Sequence, residues 1–235
     1  ETVFYQISEL EAVIDEALAL RCRRLDVFFM IGLPLQTKAS VMTTVDYCEQ
    51  LFNRSDSRLS CFISPMGPFV DPGSRSFEDP KRYGYRLFAR TLEEHRTLLV
   101  HPSWELILNY ETRWMTRQDL VDVTYEAAQK LNSLKLEHGR ISSTHGQEVA
   151  ERIEQAKRLN EQLRMNATQQ TGMSEEERQL LIGEIHAFSV STVCDKRELF
   201  WRSHPVNFKW TRIFWIFFTF FCNALLVRLG LSGKP

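Results

Sequence analysis

The sequence predicts an α/β chain whose strands are confined to its early part and whose remainder is helical. Three observations predict this. Helical periodicity alternates with short apolar runs up to residue 65, the strand signal largely disappears after Pro80, and one segment near the end is apolar around its whole circumference. The 235 residues are 43% apolar and 25% charged, a globular composition. A net charge of -1 provides no chain-wide basic field to gather nucleic acid, which is therefore not an expected partner.

The elements follow in order. Ser8 with Glu11 has the spacing of a capping box, and Leu10, Val13, Ile14, Ala17, Leu18 and Leu20 then recur near helical period, which predicts a helix over 8–22. Residues 25–32 form a continuous apolar run rich in aromatic and β-branched side chains, the pattern of a strand buried on both faces. Gly32 and Pro34 stop it. A second helix over 37–51 turns Val41, Val45, Cys48 and Leu51 inward, and residues 59–64 read as a second strand closed by Pro65 and Pro68. Helix, strand, helix, strand at this spacing is the order of a parallel sheet with crossover helices. Two strands do not make a stable parallel sheet alone, so partner strands are expected from a segment outside this chain. The opening residues, which lack an initiator Met, are read accordingly as an internal start.

Residues 69–80 are rich in Pro, Gly and Ser and predict a loop. Helices are expected over 81–99, 116–138, 144–165 and 174–191, separated by Pro102, Gly139 and Gly172, with the polar stretch 160–172 as a linker. Four regions result: 1–80, 81–165, 166–205 and a hydrophobic tail over 206–235. The tail's apolar stretch, 213–227, is bracketed by Lys209, Arg212 and Arg228. At about 1.5 Å per residue it reaches roughly 22 Å, short of the ~30 Å of bilayer hydrocarbon. Its basic flanks and Trp210 and Trp215 favour membrane contact, whereas its length, Thr219 and Asn223 favour burial in a protein groove.

Five scattered cysteines without a C-x-x-C pair predict reduced thiols, no disulfide framework and no metal site. The expected location is cytoplasmic, at the inner face of the membrane if the tail engages it. His95 and His101, near Glu93 and Glu94, do not have the spacing of a paired-ligand helix face and are expected on a helix surface. The other histidines carry no assigned role. The run Glu175 to Glu177 fits a helix first turn, and the charged positions between His145 and Arg164 fit a solvated face. Asn109, Tyr110, Glu111, Arg113 and Trp114 make a polar and aromatic cluster, with Tyr125 on the following helix. Two readings stand: the mouth of a substrate site, or a buried polar knot that pins the later helices to the sheet.

The stretch Leu25-Asp26-Val27-Phe28-Phe29-Met30-Ile31-Gly32-Leu33-Pro34-Leu35-Gln36-Thr37 resembles the fifth-strand signature of radical S-adenosylmethionine enzymes, an apolar strand ending in Met-Ile-Gly-Leu-Pro-Gly-x-Thr. Leu35 stands where the signature has Gly. Phe62-Ile63-Ser64-Pro65, followed by Asp71-Pro72-Gly73-Ser74, resembles the sixth strand and its loop. With Tyr83 to Arg86, Asn109 to Thr112 and the helix from Arg117, residues 4–158 are similar to the cobalamin-binding group that includes the anaerobic magnesium-protoporphyrin monomethyl ester cyclase. The resemblance implies the late strands and helices of a partial (β/α) barrel followed by a mostly helical C-terminal region.

It implies S-adenosylmethionine as cofactor, with Ile31, Gly32 and Leu33 beside its adenosyl part and Phe62, Ile63 and Ser64 against the adenine. Tyr110 and Glu111 are the candidates for a role near the reacting atoms. The [4Fe-4S] cluster and cobalamin would belong to the intact parent, with ligands in a missing N-terminal half, so this chain alone is expected to be inactive. The substrate would be a small molecule that the sequence does not identify. The alternative is a non-catalytic helical docking or membrane-tethering module that retains a relic of the barrel.

Overall fold

The computed structural model describes residues 6–54, 56–65, 69–101, 103–168, 183 and 210–228. Apart from residue 183, the expected helix over 174–191 lies outside the described residues, as does most of the 166–205 region. Two compact units divide the chain, 1–195 and 196–235.

In the first unit, α1 (Ile7–Ala19) opens on a capping box between Gln6 and Glu9, two residues earlier than Ser8 and Glu11 predict. It buries Ile14, but Val13 is 62% and Leu20 77% exposed, so the helix presents a narrower apolar face than its sequence implies. Next come β1 (Leu25–Ile31), α2 (Lys38–Phe52) and β2 (Leu59–Pro65). Thr37 caps α2: its hydroxyl accepts from the Ser40 amide at 3.2 Å, and the Ser40 hydroxyl accepts from the Thr37 amide at 2.9 Å. The expected inward stripe is present, with Val41, Val45, Cys48 and Leu51 all buried.

β1 and β2 pair in parallel, Phe28 opposite Phe62, Phe29 opposite Ile63 and Ile31 opposite Pro65. Alternation along the strands puts Leu25, Val27, Phe29 and Ile31 against the core built by Val41, Val45 and Cys48. The expectation that this strand is buried on both faces is corrected. Phe28 is 55% and Met30 51% exposed, because the sheet has only two strands and no layer among the described residues covers the opposite face of β1.

Beyond β2 the sequence reading needs further correction. The predicted loop 69–80 contains α3 (Arg75–Glu78), capped by the Ser74 hydroxyl, which accepts from the Phe77 amide at 3.2 Å. The predicted helix 81–99 divides into α4 (Pro80–Tyr83), β3 (Tyr85–Leu87) and α5 (Leu92–Leu99). Gly84, at φ 75, ends α4, and Trp114 packs where its Cβ would stand. After α6 (Trp104–Ile107), β4 (Tyr110–Thr112) returns antiparallel to β3. Three-residue strands are too short to show an alternating period, so the sequence hid this antiparallel pair.

Two long helices complete the unit: α7 (Arg117–Glu137), capped by Thr116, and α8 (Ser143–Thr168). α7 packs on α2, β2 and α8. The Lys38 ammonium lies 2.8 Å from the Asp119 carboxylate and joins α2 to the start of α7. Residues 160–168, expected as linker, instead continue α8. Asn160 is buried, its Oδ1 accepting from the Ser103 hydroxyl at 2.9 Å, and Arg164 lies 2.7 Å from Glu105 and 2.8 Å from Asp122. The polar composition that suggested a linker is the junction of α6, α7 and α8. In the second unit, α9 (Trp210–Arg228) matches the expected tail helix. Among the described residues no helix is long and apolar enough to cross a membrane.

Candidate functional site at the carboxyl end of β1

β1 ends in a backbone turn that the sequence dictates residue by residue. Gly32 takes φ 94, in the region that L side chains rarely enter. Leu35 takes φ 66, a left-handed conformation, while its side chain is 75% exposed. Nothing apolar is gained there to offset a strain of about 1–2 kcal/mol. This is the position at which the radical S-adenosylmethionine signature has glycine.

Gln36 ties the turn together. Its Oε1 accepts from the Gly32 amide at 2.7 Å and the Leu33 amide at 3.2 Å, and its Nε2 donates to the Met30 carbonyl at 3.0 Å. One side-chain amide thus satisfies three backbone groups at the strand end. The two amides that a ligand at this edge would use are held by the chain's own carboxamide.

The β3–β4 pair closes over the same point. Tyr85 from β3 donates its hydroxyl hydrogen to the Gly32 carbonyl at 2.9 Å. Tyr110, directed inward from β4, packs edge-on against Tyr85 with centroids 5.7 Å apart, and a Cβ built on Gly32 would stand 2.8 Å from its hydroxyl. Gly32 is therefore glycine for a second reason: the Tyr110 phenol occupies the volume a side chain would need. Burial pushes the Tyr85 hydroxyl up to about 12 and raises that of Tyr110 further, with the neighbouring Tyr85 adding to the rise at Tyr110. The Tyr110 hydroxyl is fully buried and has no hydrogen-bond partner among the described residues.

The sequence-predicted residues are brought to one end of the sheet and divided by its pleat. Ile31 and Ile63 point into the core, at 0% and 1% exposure. Phe62 and Ser64 lie on the other face, beside Phe28 and Met30 in the register. Phe62 stacks on Phe28 at 4.9 Å and carries the Lys135 ammonium 4.1 Å above its ring. Leu33 is exposed at the turn. Tyr110 meets Gly32, but Glu111 alternates to the opposite side of β4, where it lies 3.1 Å from Arg86.

His95 corrects its surface assignment. It is buried beneath α5, and its Nδ1 donates to the Thr91 carbonyl at 2.8 Å. The Val70 amide donates to Asn109 Oδ1 at 2.9 Å, so Asn109 Nδ2 faces His95 Nε2, to which it donates at 2.8 Å. The polar part of the predicted cluster is thus a knot that fixes the loop after β2 to α5 and β4. His101 is exposed.

Sequence reasoning did not find Gln36 or Tyr85. A glutamine four residues beyond Gly32 offers no periodic signal, and Tyr85 lies in a strand too short to recognise. Cys48 and Cys61 are buried free thiols; their mutual hydrogen bond, then burial, raises the Cys48 thiol and keeps it protonated. Among the described residues no group of three or more His, Cys, Asp or Glu is placed to hold a metal ion. No family model, no curated protein and no solved structure matches this chain.

Proposed function

We propose that the chain is the C-terminal portion of a radical S-adenosylmethionine enzyme of the cobalamin-binding kind, supplying two late barrel strands and a helical cover. The observation that carries the reading is the turn after β1. Leu35 holds a glycine-like backbone, at φ 66, where the signature it resembles has glycine, directly beyond Gly32 at φ 94. Parallel pairing of β1 with β2, an outer edge of β1 that no strand among the described residues pairs, and the exposed side chains of Phe28 and Met30 support it. All three suit a sheet that continues into further strands on one side. The further strands would come from the N-terminal half of the same protein, in the cytoplasm.

On this reading the face bearing Phe28, Met30, Phe62 and Ser64 lines the barrel interior. The exposed Phe28 ring and Met30 thioether would give a nucleobase an apolar surface, with Phe62 buried against Phe28. When bound with its iron–sulfur cluster, S-adenosylmethionine would supply radical or methyl-transfer chemistry. What this chain's residues do is hold the strand end: Gly32 keeps the backbone low, Gln36 and Tyr85 fix the turn, and Tyr110 seals its inner side. Glu111, paired with Arg86, stands apart from the turn.

One observation favours the second reading, a non-catalytic docking or tethering module. The Gly32 and Leu33 amides donate to Gln36 and offer nothing to a ligand unless that side chain moves. Titration of the chain with S-adenosylmethionine, followed by amide NMR shifts, separates the two. Shifts centred on Gly32, Leu33 and Ser64 that strengthen in Gln36→Ala support the enzyme reading. Saturating ligand without shifts there, in both proteins, supports the module. The coding sequence upstream gives an independent test, since the enzyme reading requires three closely spaced cysteines in it.

A further inference from the structure

Over residues 214–221, helix α9 presents an apolar surface in every direction. Phe214, Trp215, Ile216, Phe217, Phe218, Phe220 and Phe221 are each between 60% and 78% exposed. At about 100° per residue, the five consecutive positions 214–218 alone pass right round the helix. Thr219 adds no polar face, because its hydroxyl donates to the helix's own carbonyls, 2.8 Å from that of Trp215 and 2.9 Å from that of Ile216. A groove on a protein covers a strip of a helix and would leave the opposite phenylalanines in water. A surrounding medium covers all of them.

Charge selects the medium. From Leu199 to Pro235 there is no Asp or Glu, while Arg202, Lys209, Arg212, Arg228 and Lys234 carry positive charge, two of them at the ends of α9. A second copy of the segment would bring like charges together, whereas an anionic lipid surface is complementary to them. Trp210 and Trp215 lie toward the helix start, and Trp is the residue enriched where hydrocarbon meets headgroups.

We propose that α9 embeds in an anionic lipid surface from one side, without crossing it, and tethers the α/β unit there. This rests on the second unit alone and is independent of the enzymatic reading.

The test is flotation of the full chain with phosphatidylcholine vesicles, with and without phosphatidylglycerol. Binding is expected to be at least about tenfold tighter with the anionic lipid and to weaken as salt rises. Trp fluorescence should shift to the blue on binding and be quenched by brominated acyl chains. Phe217→Glu with Phe221→Glu should abolish flotation, and Arg212→Gln with Arg228→Gln should remove most of the preference for phosphatidylglycerol. The thermal unfolding of the α/β unit, read by tryptophan-independent circular dichroism, should be the same in all variants. Failure to float on anionic vesicles overturns the proposal, as does flotation indifferent to the glutamate pair. A lipid-free dimer in sedimentation that the glutamate pair dissolves, without vesicle binding, assigns the helix to a second copy and overturns it equally.

Discussion

Tyr85 and Tyr110 converge on Gly32 from two paired antiparallel strands, yet among the described residues only Tyr85 finds a partner there, donating to the Gly32 carbonyl at 2.9 Å while the Tyr110 hydroxyl has none. Two chemically identical side chains are therefore expected to respond oppositely to loss of the hydroxyl. Tyr85→Phe leaves a buried carbonyl short of a donor and should lower unfolding stability by about 1–2 kcal/mol. Tyr110→Phe removes an unpartnered buried group and should be neutral or stabilising by up to about 1 kcal/mol. Urea unfolding of the two variants measures the contrast, and equal losses would show that both hydroxyls are satisfied.

Replacing Gly32 by Ala sets a methyl 2.8 Å from the Tyr110 hydroxyl and forces a side chain into φ 94. A loss of about 2–4 kcal/mol is expected from strain and overlap together. Adding Tyr110→Phe should recover part of it, since the nearest clashing atom is then gone while the backbone strain remains. A double-mutant cycle reads the recovery as a coupling energy.

Leu35→Gly makes the opposite prediction. The side chain is 75% exposed and its backbone is left-handed, so glycine removes strain and loses almost no packing. Allowing for the greater unfolded-state entropy of glycine, a gain of roughly 0.5–1 kcal/mol is expected. A lower melting temperature in this variant would mean that the turn is not strained as described.

Asn109 links three segments through Val70 and His95, and Asn109→Leu strips both of their partners at once. A destabilisation of about 2–4 kcal/mol is expected. Hydrogen exchange should show the loss first at the Val70 amide, which donates to Asn109 at 2.9 Å.

The hydrogen bond to Lys38, and then the Thr116 contacts, hold the Asp119 carboxyl down at about 2. Because the folded value lies below the unfolded one of about 3.9, this contribution to stability is present at higher pH and is lost as pH falls through about 2. The pair is partly exposed, so screening limits it to about 1 kcal/mol. Wild type and Asp119→Asn should differ most near pH 5 and converge toward pH 2, a window of roughly three units readable by urea unfolding at stepped pH.

The apolar run of 25–32, the amphipathic period of 37–51 and the Gly32 stop were legible in the sequence because each is a relation among residues within a few positions of one another. The register that sets Phe29 opposite Ile63 was not, since two continuous apolar runs can pair at several offsets. The remaining features were decided by the tertiary structure. The exposed face of Phe28 and Met30 follows from how many strands the sheet has, not from their own composition, and the burial of His95 follows from Asn109 lying over it. Tyr85 lies 53 positions from Gly32 and Tyr110 a further 25, and nothing local in either strand encodes their meeting there. Local pattern fixes which face of an element is apolar. Chain reversal, through the turn at Gly84 and the return of β4 onto β3, decides what that face meets.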